Sequence, residues 1–236
     1  MTKLIVTDVP RADAKLIAEL PQFGAATIHE AMGRKGSLGD AIRPIQEGAV
    51  VAGSAVTVMS APGDNLMIHA AIEQCREGDI LVVGTTAPSE HGMFGELFAT
   101  SLMHRGVCSV VLDSGIRDTE ALRRLGFTAW SRYITTQGSE KATAGNVNLP
   151  ITISGQEIAA GDVIVADDDG VVVVPRDLVP SAVEAARSRA VKESSTREAF
   201  LAGELGLDRY GMRPLLRELG ITYKTYLQAV VDGDLA

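Results

Sequence analysis

The sequence predicts an α/β fold in which strands, some of them parallel, form a layer packed against helices. Three observations carry that prediction. Short apolar runs rich in Val, Ile and Leu recur at 48–62, 79–86 and 107–113, as expected of strands buried on both faces. Segments with helical patterning separate them, and strand–helix alternation marks a layered α/β core. The stretch 148–175 then breaks into short strands between Gly and Asp turns, which reads as a hairpin-rich β layer.

Taken in order, residues 11–20 predict a short amphipathic helix, and 23–38 a helical start stopped by Gly33 and Gly36. The run 48–62 is a strand closed by Pro62–Gly63. A helix over 64–78 follows: Asp64 can cap it, Leu66, Met67, Ala70 and Ala71 share a face, and Gly78 ends it. After the strand 79–86 comes a helix over 95–106 with a Gly stop, then the strand 107–113 and a helix opened by Arg117–Asp118. A long polar helix runs from Ser181 to about Ala202, followed by a Gly-containing break and the arm 208–223. No repeat or Pro-rich linker divides the chain. We therefore expect one α/β domain over 1–180 and a helical extension over 181–236, too polar to pack wholly on its own domain and suited to a neighbouring subunit.

The chain has 236 residues, enough for a substantial core. A formal charge of −8 argues against a phosphate-backbone binder, which needs clustered Lys and Arg. Cys75 and Cys108 have no metal-ligand spacing and read as reduced core thiols. There is no apolar secretion segment at the start and no bilayer-length apolar run, so a cytoplasmic location is expected.

Ligands in α/β folds bind where strand ends meet loops. Two such ends stand out: 81–98, whose loop leads into a helix with Glu96 in its first turn, and 107–118, which ends on Arg117–Asp118. If the strands ending at Val83 and Leu112 are neighbours, Glu96, Arg117 and Asp118 meet above one edge. Amides at the helix start, near Leu97 and Phe98, attract an anion. Arg117 can grip a carboxylate with two hydrogen bonds. Asp118 and Glu96 offer hard oxygen donors suited to Mg²⁺ or Mn²⁺. The plainer alternative is that acidic residues in a first helical turn are favoured by the dipole alone, and that an Arg–Asp pair is surface decoration.

The same segment resembles the RraA-like family, and more narrowly its 4-hydroxy-4-methyl-2-oxoglutarate / 4-carboxy-4-hydroxy-2-oxoadipate aldolases. The hallmark is an acidic residue, twenty intervening residues, then Arg-Asp, and Glu96 stands 21 positions before Arg117. Asp is the usual acidic form, so Glu96 departs from it by one methylene. The likeness extends through 26–36, 62–72, 161–175 and an aldolase-type tail at 202–213. It implies an α/β/β swivelling-domain sandwich, homotrimers or homohexamers, and sites between subunits. By position, Asp118 would contact the metal and Glu96 would hold a metal-bound water. Arg117, Gly95 and the Leu97 and Phe98 amides would hold the pyruvate moiety. A neighbour's helix would add Glu193 through water, or Glu198 if the helix register differs.

Cleaving a 4-hydroxy-2-oxo acid leaves a pyruvate enolate, whose charge needs a Lys Schiff base or a Lewis-acid metal. Lys3, Lys15, Lys35, Lys141, Lys192 and Lys224 all lie in polar segments or near chain ends, which favours the metal route. The resemblance implies cleavage of both named acids with oxaloacetate decarboxylation as a side activity. The rival is a non-enzymatic regulator of ribonucleases acting by protein contact. Among other polar residues, His91 is a modest candidate for substrate contact. Asn65 is expected to cap a helix, with a substrate-carboxylate contact as the alternative. His29, His69 and His104 read as structural, and 167–170 as a hairpin turn, since it lacks the alternating ligands of a calcium loop.

Overall fold

The computed structural model describes residues 3–107 and 109–235; Cys108 lies outside the described residues. Strands are β1 (Arg43–Pro44), β2 (Val51–Ser60), β3 (Asp79–Thr85), β4 (Gly92–Phe94), β5 (Ser109–Ile116), β6 (Thr128–Ile134), β7 (Asn146–Val147), β8 (Ile151–Ile153), β9 (Gln156–Ile158), β10 (Val163–Asp167) and β11 (Gly170–Val174). Helices are α1 (Ala14–Glu19), α2 (Ala25–Ala31), α3 (Leu66–Ile72), α4 (Glu96–Met103), α5 (Thr119–Leu125), α6 (Val179–Leu201), α7 (Gly206–Arg209), α8 (Arg213–Glu218) and α9 (Tyr226–Val231).

The main sheet runs β1-β6-β5-β3-β2-β10-β11, with β4 added to β5 and β7 to β2. Its centre, β6-β5-β3-β2, is parallel, while β1 and the β10–β11 hairpin join antiparallel. The central apolar runs alternate between two cores. Leu81, Val83, Val110 and Leu112 pack with Ile68, Phe94, Leu102 and Phe127, while Ile80, Val82 and Val111 pack with Trp130, Ile153, Ile164 and Val173. Burial on both faces is why these strands read as continuous hydrophobic runs. A third core sets Ile17, Leu20 and Ile28 against Val163, Val165 and the first turns of α6.

The sheet curls until its edges nearly close, and the 167–170 turn forms the seam. Trp130 Nε1 donates to the Asp167 carbonyl at 2.8 Å, Arg43 Nη1 to the Asp169 carbonyl at 3.1 Å, and the Gly48 amide to the Asp168 carboxylate at 2.9 Å. The expected hairpin is present, with Asp167 paired to Gly170, and it carries this closure as well. Gly36 lies flat on β11, where a Cβ would stand 2.2 Å from the Val173 carbonyl.

Several elements differ from the sequence reading. The helix expected over 64–78 stops at Ile72, because the chain turns so that the Arg76 amide donates to Asp79 at 2.9 Å. β4 lies in the loop expected before the helix over 95–106, while β1, β6 and β7 lie in segments for which the sequence predicts no element. The chain divides into compact units 1–189 and 190–236. The first extends into α6 because Val179, Ala182, Val183 and Ala186 are buried. The second contains no buried residue among 190–235. Its short helices are held by polar bonds, including Arg213 Nη2 to Asp208 Oδ2 at 2.9 Å and Arg209 Nη2 to Ser195 Oγ at 2.8 Å.

Candidate active site

Val83 pairs with Leu112 across parallel β3 and β5, which meets the condition for convergence of the two loop ends. β4 does the rest. It pairs with Gly115 and Ile116 at the end of β5, and the Arg117 amide donates to the Phe94 carbonyl at 3.0 Å. The start of α4 is thereby laid beside Arg117 and Asp118.

Asp118 is the N-cap residue of α5 but does not cap it. Its backbone is left-handed, at φ 57° and ψ 33°, a conformation Asp tolerates at some cost. The carboxylate instead accepts the Glu96 amide of α4, Oδ2 to N 3.2 Å. Arg117 Nε stands 3.7 Å from the same oxygen, and both side chains are partly open, 47% and 40% exposed. Gly95 makes this approach sterically feasible, since a Cβ there would fall 2.4 Å from Asp118 Oδ2. Gly92 is similarly crowded, 3.2 Å from Arg117 Cβ.

These groups line a cleft of about 290 Å³ together with Asn65, His69, Ile72, Met93, Leu97, Phe98, Ser101 and Lys141. Of the expected site residues, Arg117, Asp118, Gly95, Leu97, Phe98 and Asn65 thus share one cavity. Glu96 meets it through its backbone, while its carboxylate is exposed and does not line the cleft. The amide expectation narrows: Phe98 N–H donates to the Gly95 carbonyl at 3.1 Å, closing the first turn of α4. Of the Glu96, Leu97 and Phe98 amides, that of Leu97 alone has no partner among the described residues. Phe98 contributes its ring, 4.4 Å from that of His69.

Asn65 does not cap α3 with its side chain. Asp64 takes that bond, its Oδ1 accepting the Leu66 amide at 2.9 Å. Asn65 is left to donate from Nδ2 to the Met93 carbonyl at 3.3 Å, while its buried Oδ1 has no partner among the described residues. His91 is not in the cleft, because its ring lies against Gly63. His29 is tied by Nδ1 to the Lys35 carbonyl at 3.0 Å. His69 and Lys141 are cleft residues that sequence reasoning missed. Burial, then the charge of Lys141, hold the His69 imidazole's pKa below its ordinary value. Glu193 and Glu198 lie on the part of α6 that belongs to the second unit.

Among the described residues, no group of three or more His, Cys, Asp or Glu side chains could hold a metal. The donors at hand still fit a hard cation. Asp118 is a half-open carboxylate, and Mg²⁺ keeps several waters while taking one or two protein carboxylates.

The profile of one family, RraA-like (Aldolase/RraA), matches residues 25–173. The chain belongs to the RraA-like family. A Halalkalibacterium halodurans relative of this RraA-like chain, named "Putative 4-hydroxy-4-methyl-2-oxoglutarate aldolase", is 28% identical over 85% of this chain and 95% of its own. A Thermus thermophilus protein named 4-hydroxy-4-methyl-2-oxoglutarate aldolase is 28% identical over 48% of this chain and 68% of its own. Among solved structures, Streptomyces coelicolor RraAS2, described as an unusual member of the RNase ES inhibitor RraA protein family, superposes with a TM-score of 0.73. It is 27% identical and covers 80% of this chain and 99% of its own. The fold is the expected RraA-like one. No helix among the described residues is long and apolar enough to cross a membrane.

Proposed function

We propose that this RraA-like chain is a divalent-metal-dependent aldolase. It cleaves 4-hydroxy-4-methyl-2-oxoglutarate to pyruvate, and 4-carboxy-4-hydroxy-2-oxoadipate to pyruvate and oxaloacetate, with oxaloacetate decarboxylation as a side activity. The observation that carries this reading is the convergence of Arg117, Asp118 and the α4 start on one cleft, with Gly95 bare of a side chain between them. The relatives' names supply the substrate class.

Asp118 would hold Mg²⁺ or Mn²⁺, with Glu96 and a neighbouring subunit's Glu193 holding its waters. When bound, the cation supplies Lewis acidity toward the 2-oxo group. Arg117 binds the 2-oxo acid and offsets negative charge gathering on the ketone oxygen as the C3–C4 bond breaks. The Leu97 amide, at the positive end of α4, donates to the adjoining carboxylate. Water ordered by the carboxylates takes the 4-hydroxyl proton.

The test is pyruvate release from both acids, and from oxaloacetate, by EDTA-stripped protein with and without Mg²⁺ or Mn²⁺. Metal-dependent turnover is expected. Its absence with every substrate would sink the reading and favour a protein-binding role, which the likeness to RraAS2 supports. Asp118→Asn should abolish metal-dependent turnover without unfolding the protein. Arg117→Lys should lower kcat/KM by about 100-fold or more, since Lys lacks the planar two-pronged grip.

A further inference from the structure

Of the four histidines, His69 alone lines the cleft that holds Arg117 and Asp118. It stands on α3 four residues after Asn65, and both residues face the cleft, as that spacing on a helix allows. Its ring packs on that of Phe98, with centroids 4.4 Å apart and planes inclined at 51°. This contact holds the ring by its faces and leaves the nitrogens unused. Among the described residues neither Nδ1 nor Nε2 has a hydrogen-bond partner, whereas His29 is pinned by Nδ1 to the Lys35 carbonyl at 3.0 Å. Partial desolvation, then the charge of Lys141, disfavour a proton on His69. An uncharged imidazole carries one N–H and one open lone pair. It can therefore give up a proton at one nitrogen while taking one up at the other.

The proposed cleavage requires such a group. As the C3–C4 bond breaks, its electron pair passes to the pyruvate enolate, and C4 becomes a carbonyl once its hydroxyl proton has gone to water. The enolate becomes pyruvate only when C3 gains a proton. The ionisable side chains lining the cleft are His69, Arg117, Asp118 and Lys141. Arg117 and Lys141 are donors with no acceptor atom, so neither is reloaded as it gives a proton away. Asp118, as holder of the cation, has acceptors and no proton to give. Only the imidazole combines both roles, and its ring is reached by solvent.

We propose that His69 is the catalytic proton donor to C3 of the pyruvate enolate. One ring nitrogen gives its proton to C3, and the other takes up, by way of water, the proton that left the 4-hydroxyl. Exchange with solvent then returns the ring to its starting tautomer, and no further reactant is needed. The inference rests on the aldolase reading and supplies the acid that completes the reaction.

The test follows pyruvate alone, whose methyl protons exchange with solvent through the same enolate. In D₂O with Mg²⁺, proton NMR should show this exchange in the unaltered protein, and His69→Gln should slow it by about 100-fold or more. Gln keeps the polar bulk at this exposed position but cannot pass a proton from one atom to another. Pyruvate affinity, measured by calorimetry with Mg²⁺, should change by less than about twofold. Absence of metal-dependent turnover in the unaltered protein with every acid sinks the aldolase reading itself. In an active protein, exchange that is missing, that survives His69→Gln, or that falls in step with pyruvate affinity overturns the role of His69 and leaves the aldolase reading standing.

Discussion

Asp118 shows how much one residue's backbone decides. A left-handed non-glycine conformation costs on the order of 1–3 kcal/mol and persists where surroundings over-determine it. Here it turns the carboxylate from its own helix toward the Glu96 amide of another. That works only because Gly95 has no side chain, although its own extended backbone would admit any residue. Gly95→Ala should therefore push the Asp118 carboxylate aside, lowering kcat/KM by about 100-fold while thermal unfolding shifts by only a few degrees. A variant of near-normal rate would show that the Asp118 position is not critical. Arg117, Asp118 and Gly95 were legible because they fall at fixed spacing around two strand ends. His69 and Lys141 were not, since their place in the cleft depends on the 64–65 corner and on residues 137–143, an irregular strap, which come together only in the fold. Cys75 was legible as a core thiol. Burial, then the nearby Asp79 carboxylate, push it up to about 12. Its peptide should stay unmodified by iodoacetamide at pH 8 until the protein is unfolded.

At the scale of elements, the site depends on two short pieces that carry no strong pattern. β4 has three residues and the strap hardly any regular structure, so neither hydrophobic alternation nor helical period could reveal them. β6 escaped for a related reason: Ser131 and Arg132 interrupt its apolar run, and its outer end is exposed. The corner at Asp64 is the element-scale determinant. Burial alone would raise its pKa, but the Leu66, Ala142 and Thr143 amides outweigh this and hold the carboxyl below its ordinary value. A carboxylate depressed on folding contributes stability above its unfolded pKa of about 3.9, and that contribution is lost as pH falls through the folded value. Asp64→Asn turns an NH₂ group toward amides that need an acceptor and should cost about 1–3 kcal/mol at pH 7. The gap in stability between the two proteins, followed by urea unfolding, should narrow as pH drops below about 4. A gap independent of pH would mean that the ionised carboxylate is not what holds the strap.

For the whole molecule, the parallel centre of the sheet was legible in its doubly buried runs, whereas its closure was not. The seam joins Trp130 to Asp167 and Gly48 to Asp168, partners that no local pattern relates. The last 47 residues, 190–236, pose the larger question. Taken as a single chain, this unit leaves Leu201, Tyr226, Leu227 and Val231 more than 70% exposed, a density of open apolar side chains that marks an interaction surface. If that surface seats on a second copy and delivers Glu193 to the copy's Asp118, each site is built from two chains, and the proposal becomes testable by mixing. Asp118→Asn and Glu193→Gln would each be inactive or nearly so as pure assemblies. Unfolded together in equal amounts and refolded, they should regain activity, because random assortment pairs an intact Asp118 with an intact Glu193 in about a quarter of sites. Mixed samples no more active than their parents would place both carboxylates in one chain, or remove Glu193 from the site. The corresponding particle mass, by light scattering, should be three or six times the chain's 24.9 kDa.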